Sequence, residues 1–191
     1  AGGSGPGTFG YTGPNSFAWG PYATTPSGMV QMVWNHIGRG NTPWPATTTP
    51  SWDIAETWVR DRFCNSGSAT SSLRDYYYGL FSFVKAMLLH TGTGGAIHLL
   101  QSGTSGVTPI DWYAAEASKG DPTDGVARTL VGDQNSAGYW YGHNQSVDQY
   151  VFETAQAIIM LNRTLFEAGA PVAVAKAIPN PAVAGQTVTL D

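Results

Sequence analysis

Gly138-Tyr139-Trp140, with Gln134 four residues before the glycine, most constrains how this chain can fold. A strongly periodic helix follows, expected over about 146–167. A weaker copy stands near the start, where Gly7-Thr8-Phe9-Gly10-Tyr11 precedes a helix expected over 26–37. A glycine–aromatic turn feeding an apolar helix, used twice, signals a repeat architecture. Such a unit cannot bury its apolar face alone, so the fold must come from stacking units.

At 191 residues the chain is long enough for one sizeable core. Charged residues make up 12%, against a usual share of about 25%. A net charge of −4 leaves no basic footprint, which argues against a nucleic-acid partner. No apolar run approaches the roughly 18 residues of a membrane span. Cys64 is the only cysteine, so an intrachain disulfide and a cysteine-based zinc cluster are both excluded. Few charges with abundant Gly, Thr, Asn and Trp fit an extracellular or cell-surface bacterial protein. No leader-like segment opens the chain, as expected after its removal.

Thr/Asp-Pro pairs and Ser72 mark the expected helix starts. Thr25-Pro26 opens the first helix, with Gly38 just past its end. Thr49-Pro50 opens a second, to Phe63, turning Trp52, Ile54, Ala55, Trp58, Val59 and Phe63 inward and Asp53, Glu56, Arg60, Asp61 and Arg62 to water. Ser72 caps a third, over 73–90, apolar around more than half its circumference and so enclosed. Thr108-Pro109 and Asp121-Pro122 open a fourth (108–118) and a fifth (121–131). After Gly169 the apolar period switches from 3.6 to 2, predicting strands over 172–177 and 186–190. They read either as a tail packed on the helices or as the start of a further module.

Gln134-Asn-Ser-Ala-Gly138-Tyr-Trp140 resembles the QW repeat of squalene–hopene cyclases and related prenyltransferase-type α/α toroids. Phe152-Glu153-Thr154-Ala155 resembles the start of an inner helix of those repeats, and the Gly7 and Tyr78-Gly79-Leu80 stretches resemble degenerate copies. Pro171-Val-Ala-Val-Ala and Gly185-Gln-Thr-Val-Thr-Leu-Asp191 are similar to the opening of PKD-type β-sandwich modules. The resemblance implies a mainly α chain: an α/α-toroid segment over 1–168, a partial barrel of alternating inner and outer helices, with a short β segment and linker over 169–191. It also implies that the remainder of the same polypeptide, or another subunit, completes the ring, or that the chain is an abridged open form.

The catalytic signatures of those families are missing. There is no Asp-x-Asp-Asp string, and Asp53/Glu56 and Asp121/Asp124 read as solvated groups on outer helices. Asp61-Arg62-Phe63-Cys64 is one residue longer than the prenyltransferase Asp-x-Cys pair, and no histidine follows at the matching place. No Gly-Cys-Gly-Glu-Gln thioester motif occurs. Neither a metal site nor a cofactor is expected.

An aromatic set remains. Tyr11, Trp19, Tyr76, Tyr77, Trp140 and Tyr141 are the candidate ligand-binding residues, suited to a carbohydrate or an apolar ligand. Inter-helix core is the competing role for the same rings, and the better one for Trp140 and Phe9. Asp75, Tyr78 and His143 are the candidate acid/base set should the chain be an enzyme. The leading expectation is a non-catalytic extracellular binding or structural module. The alternatives are an enzyme acting on a carbohydrate or isoprenoid, and a subunit of an extracellular assembly.

Overall fold

The computed structural model describes residues 7–10, 20–40, 51–64, 72–102, 105–114, 125–143, 150–162, 177–178 and 189–190. The chain is mainly helical. Helix α1 spans Pro21–Trp34, α2 Trp52–Phe63, α3 Tyr77–Leu88, α4 Val126–Asp133 and α5 Tyr150–Leu161. Strands β1 (Leu99–Leu100) and β2 (Ile110–Asp111) pair antiparallel, as do β3 (Ala177–Ile178) and β4 (Thr189–Leu190).

Helix α1 begins at Pro21, earlier than Thr25-Pro26 predicts, so Pro26 lies inside it. Thr24 and Thr25 are used differently. Phe9 N–H donates to Thr25 Oγ1 at 3.2 Å, and Thr24 Oγ1 donates to Phe9 O at 2.5 Å. The glycine-aromatic segment is thereby strapped along α1, its ring lying against Gly28. The helix also ends early. His36 takes the left-handed position at φ 58°, Ile37 N–H reaches Met32 O (2.8 Å) and His36 N–H reaches Val33 O (2.9 Å). That is a Schellman ending with histidine where glycine is usual.

Helix α3 packs between α1 and α5; α2 packs on α1, and α4 on α5. The approach of α1 to α3 is close for a reason in the sequence. Pro26 has no N–H to give Tyr22 O, and Gly79 of α3 lies against that carbonyl, where a Cβ would overlap it. Ser27 and Ser82 hydrogen bond across the same seam at 3.2 Å. Trp52, Phe63, Leu73, Tyr77, Leu80, Phe83 and Trp112 lie fully inside.

Several expectations are corrected. Residues 72–76 are not helical: Ser72 Oγ and Arg74 N–H both donate to Phe63 O and Leu73 N–H to Arg62 O, finishing α2 rather than starting α3. Helix 108–118 fails over its described part. There β2 is followed by a turn in which Asp111 Oδ1 accepts the N–H groups of Tyr113 and Ala114, while Trp112 drops into the core and donates to Ile97 O at 2.9 Å. Ile54, expected inside, is exposed, and so is Trp34 at the end of α1.

Glu56, expected to face water, is buried. Its carboxylate accepts from Arg39 Nε (2.8 Å) and Nη2, Trp52 Nε1 (3.0 Å) and Gln101 N (2.7 Å). Arg39 also donates to Leu99 O at 2.7 Å. Beside it, His90 Nε2 accepts from Arg39 N–H (2.9 Å) and Nδ1 meets Gly95 O (2.6 Å), which fixes a neutral imidazole protonated on Nδ1. Burial holds His90 below the ordinary histidine range, the carbonyl of Gly95 opposing and Arg39 reinforcing it. Asp53 stays exposed; the pairs Thr49-Pro50 and Asp121-Pro122 and the carboxylate of Asp124 lie outside the described residues.

Candidate functional site

Helix α4 ends at Asp133, and the turn that follows is held from both sides. Gln134 Nε2 donates to Gly138 O at 3.0 Å, Asn135 N–H to Tyr139 O at 3.1 Å, and Gly138 N–H to Asn135 O at 2.9 Å. Gly138 (φ 87°) and Gly142 (φ 91°) adopt backbone conformations that favour glycine. Trp140 is buried: its ring N–H donates to Leu130 O of α4 (2.7 Å) and its backbone N–H to Thr154 Oγ1 of α5 (3.1 Å). The Gln–Gly–Trp spacing thus ties α4 to α5.

His143 closes the turn. Its N–H donates to Glu153 Oε2 at 3.1 Å, and its carbonyl accepts Tyr77 N–H at the start of α3 (3.2 Å). Its ring stacks on Tyr77 at 4.3 Å and 7°. Tyr77 OH donates to Asp133 Oδ2 (3.2 Å), which lies 3.8 Å from His143 Nδ1. Burial raises the Asp133 carboxyl above its ordinary range; His143 and the Tyr77 hydrogen bond pull it back, and Asp75 pushes it further up. Burial likewise raises the Tyr77 phenol, followed by the charges of Asp133, Glu153 and Asp75. Three helices therefore bring Tyr77, Asp133 and Glu153 to one place, around His143.

Of the sequence candidates, Asp75 and His143 border this same Tyr77–Asp133 pair, Asp75 with Arg74 Nε at 3.8 Å. Tyr78 is exposed, its ring 6.3 Å from that of Tyr76. Tyr76, Tyr77 and Trp140 are buried, so protein covers their ring faces; Tyr141 is 51% exposed. Tyr11 and Trp19 lie outside the described residues. Tyr139 (41%) and Tyr150 (50%) are exposed beside the turn, their rings 5.6 Å apart, and Phe152 is exposed on α5.

Sequence reasoning missed Asp133 and Glu153 as site residues. Asp133 had a signal: an acid in the last turn of a helix opposes the dipole, so something else must hold it. Glu153 had another, since it shares a helix face with the buried Ala157 and Met160. Tyr139 and Tyr150 carried none, because a tyrosine beside an apolar helix reads equally as core.

Among the described residues no cluster of three or more His, Cys, Asp or Glu is arranged to hold a metal ion, and no helix is long and apolar enough to cross a membrane. No family model matches the chain, and comparison with curated proteins and with solved structures gives no match.

Proposed function

We propose that this chain is a non-catalytic binding module of a larger secreted or cell-surface protein, and that it takes a carbohydrate on the tyrosines around the 138–143 turn. One observation carries this reading: Tyr139, Tyr141 and Tyr150 are exposed on a backbone pinned to two helices. Rigid aromatic faces stack on sugar rings at little entropic cost, and the partly exposed Asp133 and His143 offer hydrogen bonds to hydroxyl groups. Calorimetric titration with a panel of neutral and acidic oligosaccharides tests it. Tyr141→Ala and Tyr139→Ala should each weaken binding at least about tenfold, the worth of one stacked ring, without lowering the melting temperature. Absence of binding by the parent chain across the panel overturns the reading.

A second reading, an enzyme acting on a carbohydrate or isoprenoid, is favoured by the raised Asp133 carboxyl beside His143 and Asp75. Turnover of either substrate class that Asp133→Asn abolishes would establish it in place of the first.

The α/α-toroid reading draws support from the row α1, α3, α5, with α2 and α4 packed on its first and last members. The resemblance of the tail to a PKD-type module belongs to the same proposal. Val151, Phe152 and Ile158 form an exposed apolar face on α5, where the rest of the polypeptide or another subunit would close the ring. Further QW-like repeats in the native gene product would support it, and their absence would count against it.

A further inference from the structure

The turn carrying Tyr139 and Tyr141 leans on a group of ionisable side chains in which, among the described residues, acids outnumber bases. Around Tyr77 stand Asp75 from the segment before α3, Asp133 from α4 and Glu153 from α5. The bases acting on Asp133 are Arg74 and His143. The Asp133 oxygen that accepts the Tyr77 hydroxyl is also the one nearest His143 Nδ1, at 3.8 Å. That separation is too long for a hydrogen bond between neutral partners but within reach of an ion pair. The imidazole also lies flat on the Tyr77 ring, where a cation is attracted to the π face.

We propose that His143 is a proton-operated clamp on the 138–143 turn: when it takes up a proton it pairs with Asp133, and the tyrosine platform is held more firmly against α3 and α4. Two effects act in the same direction. The imidazolium gains an ion pair and a π face, and its charge offsets the three surrounding acids. At lower pH the clamp is lost again. Asp133 accepts a proton more readily than an ordinary aspartate because it is buried, and a neutral carboxyl no longer pairs. Clamping therefore needs an imidazolium facing a carboxylate and weakens when either group changes charge. That this tunes ligand affinity rests on the carbohydrate reading above; the clamp itself does not.

The decisive experiment is done without ligand. Hydrogen exchange of the Trp140 and His143 amides is followed by NMR from pH 8 to pH 4.5, corrected for intrinsic rates, alongside the His143 ring Cε1 resonance. Protection should rise about two- to fivefold as the ring titrates, the span of a partly exposed ion pair, and fall again towards the acid end. In His143→Gln, which keeps the backbone hydrogen bonds, and in Asp133→Asn, which keeps an acceptor for Tyr77, the rise should vanish. Protection independent of pH in the parent chain, or an unchanged rise in His143→Gln, overturns the proposal. Oligosaccharide titrations at the same pH values separate the two ideas: absence of binding at every pH removes the carbohydrate reading, while the exchange data still decide the clamp.

Discussion

Trp140 is held by both of its N–H groups, one to each of the helices it joins. Trp140→Ala removes a buried ring and its hydrogen bond to Leu130 O, so it should cost about 3–5 kcal/mol in urea unfolding. Trp140→Phe keeps most of the volume and should cost clearly less. Gly138 makes a separate point. Among the described residues nothing lies within 4 Å of where its Cβ would be, so the penalty comes from the backbone. Gly138→Val should cost about 1–3 kcal/mol from strain at positive φ, and Gly138→Asn less, because asparagine tolerates that conformation better. These roles were legible, since glycine and tryptophan at this spacing carry their own geometry. Glu56 was not. Its position on a half-polar helix face reads as solvent-facing, and its partner Arg39 comes from a loop 17 residues away.

Helices were legible where apolar periodicity ran over three turns, which covers α2, α3 and α5. Their ends were not, because capping is decided by distant chain. Thr24 and Thr25 bond to Phe9 instead of starting α1, and Ser72 completes α2. Thr108-Pro109 failed for a similar reason: β2 finds its partner in Leu99–Leu100 across a loop, and Trp112 finds a place in the core. Short-range signals carry no information about either. The α1–α3 seam gives the prediction at this scale. Gly79→Ala would set a methyl group into Tyr22 O and should destabilise by about 1–3 kcal/mol through forced separation of the helices. Gly132→Ala, with open space on α4, should stabilise by roughly 0.4–1 kcal/mol. The two variants share chemistry and differ only in surroundings, so thermal melts read the packing directly.

For the whole molecule, His90 sets an acid limit on stability. Its folded pKa lies below the unfolded value, so its stabilising contribution is intact above about pH 6.5 and drains away as the pH falls through the folded value. Protonation would turn Nε2 from an acceptor into a donor facing Arg39 N–H. Melting temperature should therefore decline between pH 7 and pH 5 in the parent chain. His90→Gln should begin lower and decline less. A parallel decline in both would show that other groups are responsible.

Glu56 has a consequence for how the chain comes apart. One carboxylate fastens α2 to Arg39 beyond α1 and to Gln101 beyond β1, so neither flank can peel away while it is gripped. Stretches of chain remote in sequence then share a single melting event. Glu56→Gln should decouple them, turning one sharp calorimetric peak into a broad or doubled one, with the 97–101 amides exchanging well before those of α3.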